Sequence, residues 1–377
     1  MELYENKIGI HTFELNLRLS SFDEYRERAA QLYNEKSDIL NETGKGVWQQ
    51  EHGTICDYRT YGIRLYLTKA DFVWLKLVIS PRNLIGDCNP LGVTKITSKM
   101  AEQMTERIQN FLDARKFPYQ VRQFQLSRID LCANIVFEDE SMPTTIIRLL
   151  NRTPHKGEYH RVSFSPAESK CGMEAYDSNK HSCMIALQQE CIKVYDKVYE
   201  VQKNGRFPNC QMDEGLLRIE ITLKREAITK WLFKNTVDDV DAIETVKLFS
   251  DAAPLLICER LRKALPYGVY LKKNEIEKRI KKSGFSGRIC ADMKEMAKIY
   301  HQCKDSQSAR DRILRFVVGV YRHPKRQYRE LMERFEKIGL QPVPLSKKDP
   351  DIIYTPLIYL ELVLGLQPKA SVDGVNV

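Results

Sequence analysis

The sequence predicts a mixed α/β (α+β) fold in which duplicated strand–helix–hairpin units form one sheet with helices on one face, followed by a basic helical region. Three observations predict it. Alternating apolar residues mark strands up to about residue 230, the order of elements repeats within that part, and beyond residue 235 the apolar spacing becomes helical. We therefore divide the chain into a duplicated α/β domain at 1–235 and a basic helical domain at 236–377.

The first unit starts with a strand whose two faces differ clearly. Phe13, Leu15 and Leu17 alternate with Thr12 and Glu14, which is typical of a half-buried strand. The predicted elements of this unit are, in order, a strand at 11–19, a helix from residue 21, a hairpin of strands 62–68 and 73–80, and a helix at about 98–115.

The second unit repeats this order. Its predicted elements are a strand at 126–137, a short helix at 141–151, and strands at 191–200 and 216–224. Strand segments of the two units align, 13–17 with 129–133, 63–68 with 192–197, and 75–80 with 217–222. Because element order is kept while loop lengths differ, the pattern indicates an internal duplication.

The remaining third of the chain is predicted to be helical, with helices at about 238–265, 272–282, 290–302, 307–321 and 324–338. The tail at 341–377 is rich in proline and apolar residues, and 352–364 fits either a strand or a helix. Residues 261–348 hold 23 lysines and arginines against 9 acids, whereas the whole chain has a net charge of +9. Charge segregated in this way favours a polyanionic partner over a merely solvated face.

Composition excludes several classes of protein. No run of about 18 apolar residues is present, so we expect no membrane span, and the first residues lack the pattern of a signal peptide. The ten cysteines are scattered without a CxxC pair, which favours a reducing, cytoplasmic setting over a disulfide framework or a structural zinc site.

Alternation predicts one polar sheet face in the second unit, if its strands are neighbours. That face would gather Arg128, Asp130, Asn134, Lys193, Tyr195, Lys197, Arg218 and Glu220. Asp130 and Glu220 offer the hard oxygen ligands that Mg²⁺ or Mn²⁺ takes beside a phosphate. The phenol of Tyr195 has an ordinary pKa of about 10, and nearby cations favour its phenolate, a nucleophile.

A second interpretation needs no active site. Aspartate–arginine and glutamate–lysine pairs across strands are common on exposed sheet faces and stabilise them modestly. Residue types alone leave the two interpretations open.

Three segments carry a family resemblance: LSRIDLCANI (126–135), IKVYDKVYE (192–200) and LLRIEITLK (216–224). In this order they resemble the signature blocks of rolling-circle replication initiators of the Rep_trans type. That family is related to replication proteins of filamentous-type phages and to some relaxases of integrative conjugative elements. The resemblance covers roughly 120–225 directly, and the first unit only through element order.

The resemblance implies a metal-dependent nicking enzyme. Tyr195 would attack one strand at an origin, form a 5′-phosphotyrosine link and free a 3′-OH. The roles that it implies are metal binding by Asp130 and Glu220, phosphate binding by Lys197, and orientation of the carboxylates by Arg128 and Arg218.

This sequence departs from the family at one point. Members often carry a second acid about four residues after the first, where this chain has Asn134. Glu14, Asn134 itself and Glu200 are therefore the alternatives for completing the metal site. No paired histidines of the HUH type are found, so that class of initiator is not supported. Tyr199 is the competitor of Tyr195 as nucleophile.

We therefore expect a replication initiation protein that nicks origin DNA, with 261–348 binding the duplex mostly through phosphates. On the helix at 324–338, Lys325, Arg326 and Arg329 share the face turned away from Tyr328 and Leu331. A host helicase and a second copy of the chain are further partners that this interpretation allows. The alternatives are a relaxase that starts conjugative transfer and a catalytically silent DNA-binding protein.

Overall fold

A computed structural model describes residues 7–43, 48–50, 53–58, 61–69, 72–87, 89–162, 180–203, 214–235, 237, 240–303, 305–318 and 321–366. Its strands are β1 (Ile8–Arg18), β2 (Trp48–Gln50), β3 (Gly53–Tyr58), β4 (Ile63–Lys69), β5 (Val73–Ile79), β6 (Gln125–Phe137), β7 (His160–Arg161), β8 (Ser182–Leu187), β9 (Glu190–Asp196), β10 (Gly215–Lys224), β11 (Val269–Leu271) and β12 (Ile352–Tyr354).

Helices occupy most of the remaining described residues. They are α1 (Phe22–Thr43), α2 (Pro81–Ile85), α3 (Ser98–Ala114), α4 (Met142–Leu150), α5 (Lys197–Lys203), α6 (Arg225–Lys234), α7 (Ala242–Ala264), α8 (Lys273–Lys282), α9 (Gly287–Gln302), α10 (Ser306–Val318), α11 (Pro324–Lys337) and α12 (Pro356–Val363). The predicted mixed α/β class is confirmed, and no helix within the described ranges is long and apolar enough to cross a bilayer.

One sheet holds ten strands in the order β2-β3-β4-β5-β1-β6-β10-β9-β8-β7, and β11 and β12 form a separate antiparallel pair. Outward from the central strands β1 and β6, the order is β5, β4, β3, β2 on one side and β10, β9, β8, β7 on the other. The strands whose sequences align are β1 with β6, β5 with β10 and β4 with β9. The two members of each pair therefore occupy equivalent positions, counted outward from the centre of the sheet. This symmetry agrees with the predicted duplication.

Contacts between Cα atoms divide the chain into two compact units, which do not coincide with the two repeats of the sequence. The first contains Met1–Ala133, Gln188–Glu190 and Glu220–Pro254, and the second Asn134–Leu187, Cys191–Ile219 and Leu255–Val377. The division passes through β6, β9 and β10, so it follows three-dimensional contacts, whereas the boundary at 235/236 follows sequence order. That boundary stays a prediction.

In the first unit, β1 lies antiparallel to both β5 and β6, and β4 and β5 form the predicted hairpin. Alternate residues of β4 and β5 are fully buried, as expected for strands with one face on a core. Helix α3 begins at Thr97, whose hydroxyl accepts a hydrogen bond from the Met100 amide, and it buries Met104, Ile108 and Leu112.

The second unit holds α4 and the C-terminal helices. Pro324 starts α11, which buries Tyr328, Leu331 and Phe335 on one stripe. Residues 352–364, which the sequence left open between a strand and a helix, contain both: β12 and then α12.

Two predicted details are wrong. The strand predicted at 191–200 ends at Asp196, and α5 begins at Lys197. The polar face of β6 is not exposed along its centre, since every residue from Ile129 to Ile135 is buried. Both differences change the setting of residues that the sequence analysis singled out.

Candidate functional site

A carboxylate cluster forms in the first unit where β1 meets β6; we define it as Thr12, Arg128, Asp130, Glu220 and Thr222. Thr12 of β1 stands opposite Asp130 of β6 in register, and Glu14 stands opposite Arg128. The Thr12 hydroxyl donates to Asp130 Oδ2, and the Thr222 hydroxyl donates to Asp130 Oδ1 at 2.7 Å. Asp130 is therefore held by a hydroxyl on each oxygen.

The electrostatics of Asp130 are those of a buried acid beside one opposite and one like charge. Its side chain is 6% exposed, and Arg128 Nη2 lies 3.3 Å from Oδ2. Burial raises the pKa of Asp130 above its ordinary value, the Arg128 guanidinium lowers that pKa in part, and the negative charge of Glu220 raises it again. Such a carboxylate is costly to the fold unless a cation reaches it.

Asp130 and Glu220 offer carboxylate oxygens, the type of donor that a hard divalent cation takes. Each carboxylate oxygen has room for two acceptor contacts, and Oδ1 of Asp130 uses one of them for Thr222. Mg²⁺ commonly takes one or two carboxylates and completes its shell with water and phosphate oxygens. Within the described residues no group of three or more His, Cys, Asp or Glu side chains has metal-binding geometry.

The three alternatives for a further ligand have different surroundings. Glu14 lies two residues along β1 from Thr12, in the unit of the carboxylate cluster, and its Oε1 accepts from the Ser127 hydroxyl at 2.8 Å. Asn134 and Glu200 belong to the second unit. Glu14 is therefore the alternative that the structure groups with Asp130 and Glu220.

A tyrosine cluster, defined as Lys193, Tyr195 and Lys197, lies in the second unit at the end of β9. The Lys193 and Lys197 ammonium nitrogens lie 4.4 and 5.9 Å from the centroid of the Tyr195 ring. Tyr195 is 3% exposed, so the expectation that it projects from an open sheet face is wrong. The ring is instead buried with two cations near it, and cations are attracted to the π electrons of a tyrosine ring.

Lys197 reaches this position as the first residue of a helix. Asp196 Oδ1 accepts a hydrogen bond from the Tyr199 amide at 3.1 Å. This contact makes Asp196 the N-terminal cap of the helix. The chain therefore turns into α5 directly after Tyr195. Lys197 is 5% exposed and its ammonium contacts Glu200 at 2.6 Å.

The turn into α5 separates the two tyrosines. The Tyr199 ring stacks on His181, with centroids 3.5 Å apart and an angle of 7° between the planes. His181 Nδ1 lies 3.4 Å from Asp196 Oδ2. Sequence analysis gave His181 no role with a tyrosine, because nothing in the spacing of 181 and 199 indicates that they meet.

Arg218 and Asn134 form a buried polar pair in the second unit. The Arg218 side chain is fully buried, and its Nε donates to Asn134 Oδ1 at 2.8 Å. Asn134 thus stands where a second acid was expected and accepts from a guanidinium.

We expect Arg218→Ala to lower the free energy of unfolding by about 3 kcal/mol or more, because it removes a large buried side chain and leaves the Asn134 carbonyl without this donor. Urea unfolding followed by circular dichroism measures the change. Arg225→Ala, at an exposed position, is the matched control and should stay within about 0.5 kcal/mol of the wild type. Equal effects of the two variants would contradict this prediction.

The basic stripe, defined as Lys325, Arg326 and Arg329, lies on α11 where the sequence predicted it. All three residues are exposed, on the side away from the buried Tyr328 and Leu331. Arg326 Nε lies 2.9 Å from Glu330 Oε1, so part of its charge is already neutralised.

Replacing all three stripe residues by alanine should weaken duplex binding and reduce the slope of log affinity against log salt. The expected reduction is about one unit for each phosphate that the stripe no longer neutralises, with the smallest share from Arg326. Fluorescence anisotropy with a labelled duplex at several salt concentrations gives this slope. The control is Lys230→Ala with Lys234→Ala on the exposed side of α6. An unchanged slope in the stripe variant would show that the stripe is only solvated.

Comparison with known proteins adds little. No protein-family model matches the chain, and no curated protein matches it. One solved structure, "Methanococcus jannaschii TBP", is similar over 64% of this chain and 99% of its own, with 12% sequence identity and a TM-score of 0.25. A similarity this low carries no argument about fold or function. The resemblance to rolling-circle initiators rests on three sequence motifs and stays a prediction.

Proposed function

We propose that this protein is a replication initiation protein, a metal-dependent DNA endonuclease and strand transferase that starts rolling-circle replication with Tyr195 as its nucleophile. The observation that carries the proposal is the presence of two ammonium groups near the Tyr195 ring, at 4.4 and 5.9 Å from its centroid. Cations so placed attract the phosphate that the tyrosine oxygen would attack.

The proposed step is a displacement at phosphorus. Tyr195 loses its proton and its oxygen forms a bond to the phosphorus of one strand. The bond between that phosphorus and the 3′ oxygen of the preceding nucleotide breaks, and the 3′ oxygen takes up a proton. A 5′-phosphotyrosine link and a free 3′-OH result, and the reverse step joins the strands again. Lys193 and Lys197 would stabilise the added negative charge on the phosphate oxygens.

Asp130 and Glu220 would hold Mg²⁺ or Mn²⁺, and water and phosphate oxygens would complete the shell of the ion. Such an ion polarises a phosphoryl group and offsets the charge that builds on it. The two threonine hydroxyls fix the Asp130 carboxylate in one orientation, and Arg128 offsets its charge. The basic region would bind origin duplex, and a host helicase and a second copy of the chain are proposed as further partners.

A catalytically silent DNA-binding protein is the second candidate, and two observations favour it. Tyr195 is 3% exposed, and both oxygens of Asp130 already accept hydrogen bonds from hydroxyls. In that protein the buried groups would only specify the fold.

The discriminating experiment uses a supercoiled plasmid that carries the DNA surrounding the gene. With Mg²⁺, the proposed enzyme converts it to open circles and leaves protein attached to a labelled 5′ end in the presence of detergent. Duplex binding without nicking would establish the silent protein. Open circles without attached protein would show that water, and not a tyrosine, is the nucleophile. Replication of the plasmid only when the protein is supplied supports an initiator, whereas transfer in mating without such replication supports a relaxase.

A further inference from the structure

Helices α8 and α9 are joined by a four-residue turn, residues 283–286. Gly284 takes a left-handed conformation there, with φ of 76°, which favours glycine. The Ser283 hydroxyl donates to the Ile280 carbonyl at 2.7 Å, and Cys290 Sγ contacts the carbonyls of Ile280 and Phe285 at 3.4 and 3.5 Å. Two helices joined by a short turn that contains glycine are one feature of a helix–turn–helix.

The inner faces of both helices are apolar and covered. On α8, Ile276 and Ile280 are fully buried, and on α9 Met293, Met296 and Tyr300 are buried in the same way. Helix α9 packs against α8, α10 and α11, which together support it. A helix held on one side by three others can present its opposite side as a rigid surface.

That opposite side is an exposed strip along the whole of α9, which we call the reading face. Its residues recur at helical spacing, namely Arg288, Ala291, Lys298 and Gln302 exposed and Lys294 and Glu295 half-buried. Lys298 also contacts Glu295 at 3.1 Å. The basic and amide side chains of this face can donate hydrogen bonds, and Ala291 leaves room for a close approach.

Arg288, the second residue of α9, is held in place. Its guanidinium carbon lies 4.8 Å from the centroid of the Tyr321 ring, and the Tyr321 hydroxyl donates to the buried Asp292 one turn along the same helix. Less side-chain freedom is then lost when Arg288 binds a partner.

The surrounding surface is basic. Exposed cations on the neighbouring segments are Lys281, Lys282, Arg310, Arg312, Arg322, Lys325 and Arg326. A duplex is the occupant that this charge favours, because its phosphates lie on both sides of a groove about 12 Å wide that admits one helix.

We propose that α8 and α9 form a helix–turn–helix in which the reading face enters the major groove and Arg288 reads a guanine through its two parallel N–H donors. The inference rests on the proposed function in one respect, that the partner is origin duplex. It goes beyond contacts to phosphates, since the N-terminal residues of such a helix contact base edges.

The test starts from a pool of duplexes with a randomised centre, bound to the full-length protein and sequenced after repeated selection. We expect the wild type to enrich one motif that contains a guanine. Arg288→Lys keeps the charge but loses the two-pronged donor, so it should lower the preference for that guanine roughly tenfold while the salt slope stays unchanged. Arg26→Lys on the exposed side of α1 is the matched control and should leave the preference intact.

Each outcome decides the proposal. If the wild type enriches no motif, or if Arg288→Lys and Arg288→Ala both leave the guanine preference unchanged, α9 does not read bases. Binding to RNA or to an acidic protein in preference to every duplex would also overturn it. A lost preference with nicking intact supports the reading helix independently of the chemistry. A lost preference in a protein that never nicks DNA keeps the reading helix and removes the proposed enzyme.

Discussion

Tyr195→Phe is expected to abolish strand cleavage and the covalent adduct with a labelled 5′-phosphate, a loss of about three orders of magnitude or more in rate. The substitution removes only a hydroxyl. The ring stays in place near Lys193 and Lys197, so the fold and the affinity for duplex should be unchanged. Rates from a nicking assay and affinities from anisotropy, measured on the same preparation, separate the two effects.

Tyr199→Phe is the matched control, because it removes the same atom four residues further on. Its ring keeps the stack on His181, so stability should be preserved, and the adduct should still form. If Tyr199→Phe loses the adduct and Tyr195→Phe keeps it, Tyr199 is the nucleophile, and its place beside His181 and Asp196 becomes the reactive setting. If both variants keep full activity, a tyrosine nucleophile is wrong.

Much of the fold could be predicted from periodicity. Strands β6 and β10, the hairpin of β4 and β5, and α3 and α11 lie within a few residues of their predicted bounds. Each has a strong apolar repeat and clear end signals, such as Thr97 before α3 and Pro324 at the start of α11. These signals are local, so the sequence carries them in full.

Burial could not be predicted in the same way. Alternation places Asp130 and Asn134 on the face of β6 opposite Ile129 and Leu131, but it does not say whether a second layer covers that face. The depth of a strand in a sheet depends on contacts that are distant in sequence. Thr12 lies on the polar side of its own strand, and only the register of β1 with β6 shows that Thr12 meets Asp130.

The start of α5 was within reach of the sequence. Asp196 is a good N-terminal cap, and the following Val198 and Glu200 fit a first helical turn. The alternation of Ile192 and Val194 predicts a strand that continues to residue 200, beyond this capping signal. The contact of Asp196 with the Tyr199 amide shows that the capping preference decided the structure.

Asp130→Asn should remove nicking while raising the free energy of unfolding in metal-free buffer near pH 7. Burial raises the pKa of Asp130, so the folded protein binds the proton more tightly than the unfolded chain. Stability then falls as pH rises from the unfolded pKa of about 4 towards the raised folded pKa, and the whole penalty remains above it. Asparagine carries no charge, so it avoids this penalty. It also keeps one acceptor and one donor for the two threonines, and the half-exposed Arg128 can turn to water.

Asp349→Asn is the control, and its expected effect on the free energy of unfolding has the opposite sign. Burial raises the pKa of Asp349, but the hydrogen bond from Arg148 at 2.6 Å and that from the Ser346 amide outweigh it, and the pKa is lowered. The stability that this carboxylate contributes is present above its unfolded pKa and is lost in acid, so the variant should be less stable near pH 7. Thermal unfolding from pH 3 to pH 8 in EDTA gives both profiles.

Stabilisation by added metal is a second test of the role of Asp130. If Asp130 and Glu220 hold Mg²⁺ or Mn²⁺, adding metal stabilises the wild type by about 2.7 kcal/mol at one hundred times the dissociation constant, and Asp130→Asn gains nothing. A carboxylate kept at a cost to the fold and stabilised by a divalent ion is one that serves the reaction. If Asp130→Asn is instead less stable than the wild type, insensitive to metal and still able to nick DNA, the Asp130–Arg128 contact is structural. The metal site then has to be sought elsewhere.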